Sequence, residues 1–334
     1  MTAPGIRSED GGPMCGRKIA GVCILLIIIL TGCTAASREV SGSNALQGGE
    51  SSASNSEPSE VNGIAINESA AVITDMVVDI FAEPDVRSQR IAQAIYNQAV
   101  SILEEDGGWV RIAAADGSEG WVRTKFVDTD ISSISGRAYT HRIIITAKEK
   151  SIFSGPTTGI TLKEVVMGSV FYAFNNSDNA YEVYLPGDAT GWLRGSGIIH
   201  VGLGADVPMT TGADFAASAL KFKGTSYLLN GLSSMGIDSP GMIYICSKVN
   251  GRDLPRDLTE QMKYGKEIAL DSIDTGDIVF LSESEEKGNI SGAGIYLGNG
   301  QYIHASRASG YVRLEGLNDS GSDGKPVFAR RIFQ

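Results

Sequence analysis

The sequence predicts an α+β protein in which two small β modules precede a mixed domain of helices and strands. Between about residues 70 and 202, short runs of β-branched residues alternate with turn residues, as is typical of small β folds. A closing Gly-Trp-(Val/Leu)-Arg segment occurs twice in this region. Further on, Ser239-Pro240 predicts a helix start, because Ser suits the N-cap and Pro suits the first helical position. This helix is expected to reach Lys248, before Asn250-Gly251 stops it.

Length and charge limit the possible functions. With 334 residues, the chain has room for two or three domains. Its net charge of -11, without a Lys/Arg cluster beyond the first residues, argues against nucleic acid as a partner, because a polyanion is bound by a positive surface. The sequence predicts neither a cofactor nor a metal site.

Residues 1–33 have the pattern of an export leader. Arg17-Lys18 precedes a run of twelve apolar or small residues that ends at Leu30. Such a run is too short to cross a bilayer, which takes about 20 residues, but it suits the apolar part of a signal peptide. The ending Leu30-Thr31-Gly32-Cys33 resembles the lipobox of bacterial lipoproteins. The resemblance implies that Cys33 is lipidated and anchors the exported chain to the cell membrane, facing the wall. An ordinary secretory leader or a short membrane anchor is the alternative.

Residues 34–65 are rich in Ser, Gly, Asn and Glu and lack apolar periodicity, which predicts a disordered tether. Beyond the leader and Cys33, only Cys246 remains, so no internal disulfide is possible. We expect Cys246 to pack in the core.

The β modules cover residues 66–130 and 136–202, and their closing residues Trp121 and Trp192 lie 71 positions apart. Both modules resemble bacterial SH3-like domains. The resemblance implies that the modules bind cell wall or shape a neighbouring groove. The alternative is that Trp109, Trp121 and Trp192 are each core residues of a small barrel. In similar architectures the first module closes over a groove of the following domain, which implies that Glu83 faces the amine of a ligand there.

The C-terminal domain, residues 208–334, contains two informative segments, 236–244 and 292–300. They resemble the two catalytic motifs of the NlpC-type cell-wall endopeptidases, which are papain-like cysteine peptidases. The resemblance implies a papain-like α+β fold. Four other segments match the family: 222–227, 254–256, 274–280 and 298–306.

The two catalytic positions of that family are substituted. Ser239 stands where the family has its nucleophilic Cys, and Gly292 stands where it has the His base, whereas His304 retains the third position. A Cys gains thiolate character from a helix N-terminus, but a hydroxyl needs a positioned base. The other two histidines, His141 and His200, fall near the β modules and are expected to be surface or packing residues. We therefore expect a domain that has lost catalysis, a pseudoenzyme.

Two residues could bind a ligand without a nucleophile. The resemblance implies that Asp238 holds the free amine of an L-Ala-γ-D-Glu-diamino-acid stem peptide and that Tyr227 lines the groove, although Asp238 could equally cap the helix. The favoured function is binding of peptidoglycan stem peptides, or of a wall enzyme, without cleavage. One alternative is an active γ-D-glutamyl-diamino-acid endopeptidase that uses Ser239. Another is a protein-interaction scaffold, which Leu229-Asn230 in place of the family's Trp-Gly would favour.

Overall fold

A computed structural model describes residues 60–284, 289–319, 321 and 323–333 of the chain. The predicted leader, the lipidation site at Cys33 and most of the tether lie outside the described residues. Where the chain is described, no helix is both long and apolar enough to cross a membrane. The described residues fall in one compact unit.

The predicted tether ends earlier than expected. Residues 60–65 form a hairpin of β1 (Glu60–Val61) and β2 (Ile64–Ala65) rather than disordered chain. Val61 and Ile64 are buried in an apolar cluster that also contains Val72 and Ala99 of the first module and Tyr172 of the second. The prediction was wrong here because the apolar residues that order this short segment lie outside it, in both β modules.

The first module is a seven-stranded antiparallel sheet that ends in a 3-10 turn, Thr124–Phe126, and a last short strand. Its strands are β3 (Ala70–Ile73), β4 (Val77–Phe81), β5 (Arg90–Ile95), β6 (Ala99–Asp106), β7 (Trp109–Ala114), β8 (Glu119–Arg123) and β9 (Val127–Asp128). They are arranged in the order β5-β4-β8-β7-β6-β3-β9. Alternate residues of β7 and β8 point into one apolar core, as the sequence pattern predicts.

The second module repeats this arrangement strand for strand. Its strands are β10 (His141–Ile145), β11 (Glu149–Phe153), β12 (Thr161–Val166), β13 (Val170–Ser177), β14 (Ala180–Leu185), β15 (Ala189–Arg194) and β16 (Ile198–Gly202). Their order, β12-β11-β15-β14-β13-β10-β16, is that of the first module. Trp121 pairs with Phe81, and Trp192 pairs with Phe153, at the same point of each sheet. Trp109 is buried as expected, whereas Trp121 and Trp192 are half-buried.

The C-terminal domain packs helices against a six-stranded antiparallel sheet. Its helices are α1 (Gly212–Leu220), α2 (Ser239–Val249) and α3 (Leu258–Gln261), and a two-stranded pair, β17 (Leu232–Ser233) and β18 (Gly236–Ile237), leads into α2. The sheet contains β19 (Lys266–Ile268), β20 (Ile278–Ser282), β21 (Ile290–Gly298), β22 (Gln301–Ser306), β23 (Tyr311–Gly316) and β24 (Lys325–Arg331), and a 3-10 turn, Leu270–Ser272, precedes β20. The order is β19-β24-β20-β21-β22-β23. The predicted α+β architecture is confirmed.

Helix α2 starts one residue away from the predicted cap. Asp238 is the N-cap: its backbone is extended, and its Oδ1 accepts a hydrogen bond of 2.8 Å from the Gly241 N–H. Ser239 is thus the first helical residue and Pro240 the second. Two good capping residues stand next to each other in this sequence, and only the backbone geometry decides between them.

The apolar side of α2 connects the site to the rest of the molecule. Met242, Ile245 and Cys246 belong to one core cluster that also takes in Ile95 of the first module and Ile144 of the second. Cys246 is fully buried, as expected, and its burial raises the pKa of its thiol. The helix that presents Ser239 is therefore held by all three parts of the fold.

Candidate active site

A groove with a volume of about 600 Å³ runs past the N-terminus of α2. The C-terminal domain supplies most of its lining, including Ser239, Gly292 and His304, so the fold brings together the three positions that the sequence singled out. The first module contributes the rest of the lining, which is Ile91 and the segment 116–118.

Ser239 is 4% exposed, and its hydroxyl connects α2 to strand β22. The Ala305 N–H donates to Oγ at 3.0 Å, and Oγ in turn donates to the Ala305 carbonyl oxygen at 3.4 Å. In this arrangement the hydroxyl proton points to a backbone carbonyl, which accepts a hydrogen bond but cannot serve as a base. Nucleophilic attack requires Oγ to turn that proton toward a base.

Gly292 leaves room where the family resemblance implies a histidine. It lies on β21 in ordinary backbone conformation, and a Cβ built there would meet Leu281 Cδ1 at 3.6 Å, which is normal van der Waals contact. A side chain would therefore fit. Because alternate residues of a strand share a face, it would project from the same face as a side chain at Gly294, whose Cβ would lie 3.2 Å from the His304 Cβ.

His304 faces a carboxylate on the neighbouring strand. Its Nε2 lies 2.8 Å from Oε2 of Glu315, a close contact that is not aligned as a hydrogen bond. The Tyr302 hydroxyl donates to the same oxygen at 3.3 Å. Burial lowers the pKa of His304, and Glu315 opposes this effect by favouring the imidazolium. A lowered pKa favours the neutral imidazole, which is the form that accepts a proton.

Asp238 lines the groove and also serves as a structural link. Besides the Gly241 N–H, its carboxylate accepts hydrogen bonds from Arg256 Nη2 at 2.7 Å and from the Asn230 N–H at 2.8 Å. A carboxylate has about four acceptor sites, so one remains for a ligand amine. Asp238 therefore caps the helix, which is the alternative that the sequence left open. Only one acceptor site of its carboxylate remains to recognise a ligand.

Tyr227, as predicted, lines the groove, where it is half-buried. Burial first, and then the charge of Asp238, raises the pKa of Tyr227, so that the phenol keeps its proton and can donate to a ligand. The neighbouring Leu229 and Asn230, which replace the Trp-Gly of the family pattern, also line the groove. They connect it to the first module, because Arg90 donates to the Leu229 carbonyl at 3.1 Å and the Asn230 side chain donates to the Arg90 carbonyl at 3.1 Å.

Glu83 is not among the residues that line the groove. It is exposed in the turn after β4, where its backbone bonds with the Ser88 hydroxyl. The first module presents the half-buried Asp116 to the groove in its place. The resemblance implied that Glu83 faces this groove, but the turn that holds Asp116 lines it instead, because the module's orientation toward the C-terminal domain determines which turn meets the groove.

The remaining histidines lie elsewhere, as expected. His141 and His200 are on β10 and β16 of the second module, with their rings 5.9 Å apart and next to Tyr181, outside the groove lining. Two functional candidates were missed from sequence, Glu315 and Arg256. Each pairs with a site residue that is distant along the chain. Arg256 falls in a segment that matches the family but was given no role, and no motif marks Glu315.

Fold and site together define the class of protein. Residues 224–331 match the model of the NlpC/P60 family, and residues 77–128 match the model of the bacterial SH3 domain. The chain carries an NlpC/P60 domain preceded by SH3-like modules, and the predicted resemblance is confirmed.

Relatives extend the similarity over most of the chain. A protein of Bacillus cereus named gamma-D-glutamyl-L-lysine dipeptidyl-peptidase is 24% identical over 72% of this chain and 74% of its own length. Dipeptidyl-peptidase 6 of Lysinibacillus sphaericus is 25% identical over 75% of this chain and 92% of its own length. A crystal structure of an NlpC/P60 family protein from Bacillus cereus has the same fold, with a TM-score of 0.69 at 21% identity over 80% of this chain and all of that chain.

These relatives correct the prediction of a domain without catalysis. Proteins that align with about three-quarters of the chain are named as peptidases, so the chain is similar to enzymes and the comparisons do not support a loss of catalysis. The prediction relied on the two substituted positions, Ser239 and Gly292. It gave too little weight to what the fold retains: the groove, a hydroxyl at the N-terminus of α2, and a buried histidine in the same lining.

Proposed function

We propose that this protein hydrolyses the γ-D-glutamyl bond of peptidoglycan stem peptides, with Ser239 as the nucleophile. The observation that carries the proposal is the position of the Ser239 hydroxyl, at the N-terminus of α2 and in the lining of a peptide-sized groove. The names of the relatives supply the bond type. A helix N-terminus favours negative charge, so it would help to stabilise the oxyanion that forms next to Ser239.

Recognition would use the groups that surround this hydroxyl. The remaining acceptor site of Asp238 and the half-buried carboxylate of Asp116 suit the free amine of a stem peptide that starts with L-Ala. The phenol of Tyr227 can donate a hydrogen bond to a peptide carbonyl. Because the first module forms part of the groove lining, it would act as a substrate-positioning element as well as a wall-binding one.

The proposed location follows from the leader. Lipidation at Cys33 would fix the exported chain to the cell membrane, and the residues between Cys33 and β1 would give the enzyme reach into the adjacent wall. Both features lie outside the described residues and remain part of the proposal, as does a wall enzyme as an additional partner.

The test is a cleavage assay with residues 34–334, which contain every described residue. L-Ala-γ-D-Glu-L-Lys and the matching meso-diaminopimelate peptide would be incubated with the protein and followed by mass spectrometry. We expect release of L-Ala-γ-D-Glu, and loss of that release in Ser239→Ala. N-acetylation of the substrate should raise KM, because it removes the amine that Asp238 would bind.

Calorimetry on the same samples separates binding from turnover. Equal product release by the protein and by Ser239→Ala would remove Ser239 from the reaction. Binding without any product would refute hydrolysis of this bond and leave peptide capture as the function of the groove.

A further inference from the structure

We propose that His304 is the general base for Ser239 and that Glu315 is the carboxylate that positions it. The inference rests on the proposed hydrolysis and specifies its proton acceptor. It assigns His304 a different role from the one implied by the family resemblance, in which this position orients a separate catalytic histidine. It also assigns a role to Glu315, which no sequence motif indicates.

The backbone of Ala305, the residue that follows His304, holds the hydroxyl of Ser239. His304 directly precedes Ala305, and both backbone polar groups of Ala305 bond to Ser239 Oγ. His304 and Ser239 line the same groove. For the transfer, the Ser239 side chain must change its rotamer so that its proton turns from the Ala305 carbonyl toward the ring. Catalytic hydrogen bonds often tighten in this way only when substrate is bound.

The strand register explains why Glu315 reaches the ring. His304 stands opposite Arg313, and Tyr302 stands opposite Glu315, so the four side chains share one face of the β22–β23 pair. Glu315 is thus the diagonal neighbour of His304, with its Oε2 at 2.8 Å from Nε2. Tyr302 holds that carboxylate in place through its hydroxyl.

Glycine at position 292 leaves one edge of the His304 ring free of a side chain from that position. A side chain there would project from the same face as His304, so a histidine at this position could use the Nδ1 edge of His304 as its partner. Because Gly292 has no side chain, no base at position 292 competes for Nδ1 of His304. Because Glu315 faces Nε2, Nδ1 is the nitrogen left to accept the Ser239 proton. The proposed constellation is then Ser-His-Glu, in which the contact between His304 and Glu315 is the part that the structure shows.

The proton balance closes without any further group. His304 Nδ1 takes the Ser239 proton while Oγ bonds to the γ-carbonyl carbon of D-Glu. The imidazolium then gives this proton to the departing amine of the diamino acid as the C–N bond breaks, leaving an ester on Ser239. Water loses a proton to His304 and attacks the ester, and Ser239 regains its proton as the γ-carboxyl product leaves.

Three charged groups act on the His304 ring. Glu315 and Asp323 favour the imidazolium, and Arg313 disfavours it. The rate should therefore rise with pH through the folded-state pKa of His304, which lies below its ordinary value. Glu315→Gln removes a charge that raises this pKa, so the acid limb of the pH–rate profile should move to still lower pH while kcat falls. A residue with only a structural role would lower the rate without moving this limb.

Two measurements test the inference. In the peptide assay, His304→Gln should lower kcat by about 10²–10⁴-fold, the usual contribution of a general base. Glu315→Gln should lower kcat by up to about 10⁴-fold, and Glu315→Asp should recover part of it. Retained heat-denaturation midpoints would exclude misfolding of these variants. Activity that is indifferent to both substitutions would overturn the proposal.

The second measurement does not need peptidase activity. Ser239→Cys would be alkylated with iodoacetamide across a range of pH, with the unsubstituted chain reporting any reaction of the buried Cys246. If His304 accepts the proton, the thiolate should form below the ordinary pKa of about 8.5, and His304→Gln should move its formation back up. A profile that does not depend on His304 or Glu315 would refute the pair. A dependent profile in a chain that cleaves nothing would support the pair and refute only the hydrolysis.

Discussion

Removing Arg256 should destabilise the C-terminal domain more than removing any exposed arginine of the chain. Arg256 Nη2 lies 2.7 Å from Asp238 Oδ1, and their side chains are 15% and 6% exposed. The same Nη2 donates to the Gly231 carbonyl at 3.0 Å. Arg256→Ala would thus leave a buried carboxylate at the N-terminus of α2 without its cation.

The size of the effect follows from the burial of the pair. Breaking a buried ion pair by removing one partner costs about 3–5 kcal/mol. Asp238 keeps two backbone N–H donors, from Gly241 and Asn230, so we expect a cost near the lower end, about 3 kcal/mol. At about 2–4 °C per kcal/mol for a domain of 150–250 residues, the unfolding midpoint should fall by roughly 6–12 °C.

Thermal unfolding followed by near-ultraviolet circular dichroism measures this shift, and Arg111→Ala is the matched control. Arg111 pairs with Glu119 at 3.0 Å, but these side chains are 42% and 52% exposed. Such a pair is worth at most about 1 kcal/mol, so its midpoint should move by less than about 4 °C. Equal shifts in the two variants would refute the reasoning, because burial would then not decide the strength of the pair.

Three further predictions concern the site and its support. The double variant Ser239→Cys/Gly292→His should cleave the stem peptide faster than the unsubstituted protein. A histidine fits there, because a Cβ at position 292 meets only Leu281, at normal contact distance. No gain in product by mass spectrometry would show that the groove cannot hold the histidine productively. Cys246 should resist thiol reagents at pH 8 until the chain unfolds in urea, because burial raises its thiol pKa, and rapid labelling of native protein would contradict this. Thr211→Ala should cost about 1 kcal/mol in urea unfolding, since the Thr211 side chain caps α1, and an unchanged midpoint would contradict a capping role.

Much of the architecture could be predicted from local sequence. The turn residues and β-branched runs indicated two β modules, and the repeated Gly-Trp-(Val/Leu)-Arg segment indicated that they are copies, which the identical strand orders confirm. The start of α2 was predicted to within one residue. These features depend on the backbone preferences of neighbouring residues, which a short stretch of sequence is enough to reveal.

The pairings that define the site come from tertiary structure alone. Asp238 meets Arg256, 18 residues further on, and His304 meets Glu315 only because the register of β22 and β23 makes them diagonal neighbours. The groove receives Asp116 rather than Glu83 because of how the first module docks on the C-terminal domain, where Arg90 and Gln93 bond to the segment 229–232. Each contact joins residues whose separation along the chain does not indicate that they meet. The sequence by itself therefore determined the modules and the substituted positions. Only the packing between elements decided which charged groups meet.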